Sequence, residues 1–142
     1  MRTNLLVIDD FYNNVDGVRE FALAQEFNVK GNYPGARTKN FNNESTRNQI
    51  QRLVHPHAGE ITDWMEGENR YTGSFQMTNS THKSWIHTDD YNNWAGVLYL
   101  TPDAPPMGGT GFYRSKINGS IYGQNDDDVG PYGQDKSKWD LV

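Results

Sequence analysis

The sequence predicts an α+β domain, with amino-terminal helices packed on one face of an antiparallel sheet. Apolar residues recur at helical spacing in the first third of the chain, and after Gly67 the texture changes to short β-rich runs. The length, 142 residues, fits one domain over 1–142.

The elements follow in order. Leu5-Leu6-Val7-Ile8 is β-rich and stops at Asp9-Asp10, which predicts a buried strand. Asn14 can cap a helix over 15–27, with Val18, Phe21, Ala22 and Phe27 on its apolar side. The stretch 31–35 carries turn chemistry. Asn43 or Ser45 can cap a second helix through Leu53 and Val54, which Pro56 interrupts before a short continuation over 58–65. The run 71–78 predicts a strand with Tyr71, Gly73, Phe75 and Met77 on one face. Further strands are expected at 85–87 and 94–100, with a fourth led in by 108–113 after a rigid turn over 102–106. Beyond Ser115 the chain is polar, and only 117–122 hints at another element. Four or five strands leave a sheet edge open. Either the tail folds back on it or another chain covers it, and a homodimer through that edge is expected.

Composition narrows the function. Lys and Arg number 13 against 18 Asp and Glu, a formal charge of −5 that argues against general nucleic-acid binding. There is no cysteine, so disulfides and thiolate metal sites are excluded. The apolar run near the start is too short for a signal peptide or a membrane span. A soluble cytoplasmic domain is the expectation.

The chemistry concentrates in Trp85-Ile86-His87-Thr88-Asp89-Asp90. On a strand, residues i and i+2 share a face, so His87 and Asp89 would aim an imidazole nitrogen and a carboxylate at one point. That is two-thirds of a facial triad of two histidines and one carboxylate, which leaves three positions open on iron(II). His-x-Asp alone is common as a simple surface pair. Here it is followed by Val97-Leu98-Tyr99-Leu100-Thr101-Pro102-Asp103 and then Gly108-Gly109-Thr110-Gly111-Phe112-Tyr113. This order resembles the prolyl-hydroxylase-like branch of the iron(II)/2-oxoglutarate oxygenases. Val7-Ile8-Asp9-Asp10-Phe11-Tyr12, Val18-Arg19-Glu20-Phe21-Ala22 and Tyr33-Pro34-Gly35-Ala36-Arg37 resemble the opening of microbial and phage members. The resemblance spans about 5–114, and 85–113 is its specific part.

The resemblance implies a double-stranded β-helix (jelly roll) with the helices on one sheet. It implies iron(II) held by His87 and Asp89, with 2-oxoglutarate and O2 as cosubstrates and an unidentified substrate hydroxylated while 2-oxoglutarate becomes succinate. Asp90 is then a neighbour of the metal site or a solvent residue. Tyr71, Phe75 and Tyr99 would line the cavity, where a hydroxyl of Tyr71 or Tyr99 could bind the oxo-acid or the rings could simply pack. Gly108 and Gly109 would serve a turn with positive φ.

The chain departs from that family in one respect. Its histidines are His55, His57, His82 and His87, and none follows Asp89 to supply the distal ligand. Arg114, Lys116, Lys136 and Lys138 are the later cations, and none follows a downstream histidine to pair with the distal carboxylate of 2-oxoglutarate. Three expectations follow: truncation at the carboxy-terminal end, strands supplied by a separate polypeptide, or a substitute ligand such as His82 or Asp103. Lys138-Trp139-Asp140-Leu141-Val142 looks like the approach to a further strand. The alternative function is an inactive jelly-roll binding or assembly module.

Other motifs read more simply. His55-Pro56-His57 has no acidic partner at matching spacing and reads as surface histidines. Asp126-Asp127-Asp128 lacks the ligand pattern of an EF-hand loop. Gly108-Gly109-Thr110-Gly111 lacks the Lys of a phosphate loop. Trp64, Trp85, Trp94 and Trp139 are expected to pack in the core or at an edge.

Overall fold

A computed structural model describes residues 3–65, 67, 70–87, 89, 92–121 and 136–142. The chain divides into two compact units, Met1–His82 and Lys83–Val142. Among the described residues the elements are helices and two antiparallel sheets of two strands each. No helix among them is long and apolar enough to cross a membrane.

The first unit holds both α-helices. Helix α1, Val15–Leu23, starts where Asn14 Oδ1 accepts the Gly17 N–H at 3.0 Å. It stops short of the expected Phe27. Gln25 turns back on it, donating its amide to the Phe21 carbonyl at 2.9 Å and its N–H to the Ala22 carbonyl at 3.1 Å. Helix α2, Glu44–Ala58, is capped by Asn43 rather than Ser45, through a 2.9 Å bond from Thr46 N–H to Asn43 Oδ1. It runs through Pro56 instead of breaking there. The proline sits in the last turn, where its missing N–H forgoes a single bond. Gly59 closes the end, its N–H donating to the His55 carbonyl at 3.0 Å.

Strand β1, Ala36–Asn40, lies between the two helices in the chain and pairs antiparallel with β2, Ser74–Met77, which follows α2. Arg37 faces Gln76 and Asn40 faces Ser74, so Thr38 and Lys39 together face Phe75. This two-against-one bulge would leave the Phe75 N–H without a ladder partner. Thr38, 1% exposed, supplies it: Oγ1 accepts from Phe75 N–H at 3.0 Å and donates to the Lys39 carbonyl at 2.6 Å. Thr38→Val keeps the shape and removes the acceptor. It is expected to cost about 1–3 kcal/mol, the penalty of a buried unpaired donor, read as a lower urea midpoint at constant m.

Two glycines let the sheet close. Gly35 has φ +81°, and a Cβ there would lie 2.0 Å from the Met77 carbonyl oxygen. Gly73 has φ +78°, and a Cβ would meet Asn42 N at 2.6 Å. Above the sheet Phe21 of α1 meets Phe41 and Phe75, with ring centroids 5.1 and 6.0 Å apart. Phe41 and Phe75 are 5.7 Å apart.

Residues 5–8 form no strand, and Val7 is 79% exposed. A β-branched run makes a strand only where a partner completes its hydrogen bonds.

In the second unit, β3, Tyr113–Ser115, pairs antiparallel with β4, Trp139–Leu141. The tail therefore folds back. Lys116 Nζ lies 3.4 Å from Asp140 Oδ1, and the Val142 N–H donates to the Phe112 carbonyl at 2.8 Å. The stretches 85–87 and 94–100 lie in no ladder. Gly108 and Gly109 do not take positive φ, contrary to expectation. Pro106–Gly108 makes a 3₁₀ turn closed by Gly108 N–H on the Pro105 carbonyl at 2.7 Å, and Gly109 is extended at φ −98°. Residues 117–121 form no further strand.

Candidate metal centre

His87 and Asp89 belong to the second unit. His87 Nε2 lies 3.8 Å from Asp89 Oδ1, and both side chains are about half exposed. The other ring nitrogen, Nδ1, is 3.2 Å from the Trp85 carbonyl oxygen. A carbonyl only accepts, so Nδ1 carries the proton in that contact. The neutral ring then keeps its lone pair on Nε2, toward the Asp89 carboxylate. A backbone carbonyl that fixes the tautomer in this way is the usual support of a metal-ligating histidine.

Two acceptors that face each other repel. A proton or a shared cation between Nε2 and the carboxylate oxygen relieves that repulsion. Two donors about 2.1 Å from a shared divalent cation, at right angles, lie roughly 3 Å apart. The pair is wider than that by less than an ångström, and half-exposed side chains can close it. The donor set thus fits two positions of an iron(II) site. Among the described residues, no group of three or more His, Asp or Glu side chains is arranged to hold a metal.

The other expected site residues have their own partners. The Tyr99 hydroxyl donates to Thr110 Oγ1 at 2.5 Å and accepts the Thr110 N–H at 2.8 Å. It pins the Gly108-Gly109-Thr110 turn to the run before it. Tyr71 lies in the first unit, its ring 5.2 Å from Tyr33, with the Arg37 guanidinium 4.0 Å from the Tyr33 centroid and 4.6 Å from that of Tyr71. Burial first, and then the neighbouring Tyr71, raise the Tyr33 phenol above its ordinary value, while Arg37 opposes the shift. Phe75 packs with Phe21 and Phe41 in the same unit.

Of the substitute ligands, His82 has its Nδ1 accepting the Asn79 N–H at 3.1 Å, which consumes the one lone pair of the neutral ring. Asp103 sits in a turn at φ +50°. His57 Nδ1 is 3.4 Å from Thr3 Oγ1. Asp90 and Asp126-Asp127-Asp128 fall outside the described residues. Sequence reasoning missed the Trp85 carbonyl, whose signal was its place two residues before His87. It also missed Thr110 as the partner of Tyr99, for which the sequence offers no signal.

Fold and site together define a small α+β chain with short antiparallel sheets and an imidazole–carboxylate pair on irregular backbone. The chain belongs to the DUF6445 family, a family of unknown function, whose model matches residues 1–136. No curated protein and no solved structure matches it.

Proposed function

We propose that this chain is an iron(II)/2-oxoglutarate-dependent oxygenase domain of jelly-roll type, with His87 and Asp89 as metal ligands. The observation that carries the reading is the facing of His87 Nε2 and Asp89 Oδ1 at 3.8 Å, with Nδ1 turned to the Trp85 carbonyl. The order of His-x-Asp, the apolar run with Tyr99 and the Gly-Gly-Thr turn supports it. Iron(II) with 2-oxoglutarate and O2 supplies the oxidation of a substrate carbon. The protein's share is to hold an imidazole and a carboxylate on one side of the metal and leave the remaining positions open.

A second reading is an inactive binding module of the same fold. The donor count favours it, because all four histidines lie at or before position 87 and two protein ligands hold a metal weakly.

The two readings part on 2-oxoglutarate. Its keto and carboxylate oxygens would add two donors to the metal, so on the oxygenase reading metal and oxo-acid each tighten the binding of the other. Under anaerobic conditions, the free Mn(II) signal in electron paramagnetic resonance is expected to fall on addition of the chain and to fall further with 2-oxoglutarate. Succinate, which lacks the keto oxygen, should not cause the second fall. Mn(II) binding that ignores 2-oxoglutarate sinks the oxygenase reading and leaves the module.

A further inference from the structure

We propose that residues 94–100 pair antiparallel with the same residues of a second copy of this chain, about a two-fold axis at Val97. The proposal stands whether or not His87 and Asp89 bind a metal. This stretch runs without turn or bend and joins no ladder. Among the described residues its hydrogen bonds are one from Asn92 Nδ2 to the Trp94 carbonyl, at 3.1 Å, and the two between the Tyr99 hydroxyl and Thr110. Residues 94–99 are all exposed, Val97 at 65% and Tyr99 at 56%. A β-rich run with unpaired backbone groups on an open surface is a template for strand addition.

The sequence of the run fits a copy of itself. With Val97 opposite Val97, Gly96 meets Leu98, Ala95 meets Tyr99, and Trp94 meets Leu100. In the first two pairs a small residue faces a large one, which lets cross-strand side chains interlock. Gly96 is the telling position. Its φ is not positive, and a Cβ built there meets nothing within 4 Å, so the monomer gives no reason for glycine. Glycine within a β-rich run marks a close approach by another chain. The Leu98 side chain of the copy would fill that space.

Charge permits the contact. No acidic or basic side chain lies from Asn92 to Thr101, so two chains of formal charge −5 meet there without opposed like charges. Tyr99 is already held by Thr110, so little side-chain entropy is lost on pairing. Fully extended, seven residues span roughly 23 Å, which places the pairing in the small, concentration-dependent class of interfaces.

Sedimentation velocity of the full chain tests this. The wild type is expected to show a concentration-dependent dimer. Val97→Lys and Val97→Glu each put like charges face to face at the axis, and each should weaken the dimer roughly tenfold or more. Mixing these two variants should restore a dimer of opposite charges. Gly96→Val, which the monomer tolerates, should weaken the dimer as well. A wild type that stays monomeric overturns the proposal, and so does a dimer that Val97→Lys leaves intact. A mixture of charge variants that fails to pair overturns the two-fold register.

Discussion

His87→Ala is expected to abolish the rise in melting temperature that Mn(II) gives the wild-type chain. A cation that binds the folded state alone, at a hundred times its dissociation constant, adds about 2.7 kcal/mol. In a chain of this length that moves the midpoint by roughly 5–10 °C. The metal-free midpoint should change little, because His87 and Asp89 are half exposed and such pairs contribute little by themselves. The signature is therefore a lost response with an almost unchanged starting point. Asp89→Asn should behave likewise, since an amide oxygen is a weaker donor than a carboxylate.

Controls separate this site from the other histidines. His57→Ala and His82→Ala should keep the full metal response. His82 in particular has its lone pair committed to the Asn79 N–H. A response that survives His87→Ala would falsify the assignment outright. One that instead vanishes with His82→Ala moves the site to the first unit.

Local signals survived the passage from sequence to structure, and strand signals did so only in part: 71–78 holds β2 and 138–142 holds β4, while 85–87 and 94–100 join no ladder. Asn14 and Asn43 announce their helices because a cap is settled within three residues, by bonds to Gly17 and Thr46. Strand β1 was illegible. Its sequence, Ala36-Arg37-Thr38-Lys39-Asn40, has no alternation and only Ala36 as apolar content, and it is a strand only because β2 lies against it. The reverse held at Leu5-Leu6-Val7-Ile8, where strong β propensity found no partner. Pro56 misled for a related reason: its effect depends on how near the helix end it falls, and the sequence does not fix that end. For the candidate site, the spacing of His87 and Asp89 was visible in the sequence. The tautomer fixed by the Trp85 carbonyl and the capture of the Tyr99 hydroxyl by Thr110 depend on backbone geometry that no residue pattern encodes.

Phe75→Ala is expected to cost about 3 kcal/mol, the low end for a phenylalanine truncation because the ring is only partly buried. Against a total of about 5–15 kcal/mol for a folded domain, that is a large fraction. The size follows from how little else holds the first unit. Ala22 is its one fully buried apolar residue among those described, so the cluster of Phe21, Phe41 and Phe75 does most of the apolar work. Removing Phe75 deletes two of the three ring contacts and leaves only Phe21 on Phe41. Both helices, α1 and α2, lie in the first unit, so far-ultraviolet circular dichroism during a urea titration reports on it directly. Phe75→Leu, which keeps most of the volume, should cost about 1 kcal/mol. Val7→Ala, at a surface position 79% exposed, should stay within about 0.5 kcal/mol of the wild type. Equal midpoints for Phe75→Ala and Val7→Ala would mean that the three rings are not the core and that the sheet is held by its hydrogen bonds and its glycine-permitted closure alone.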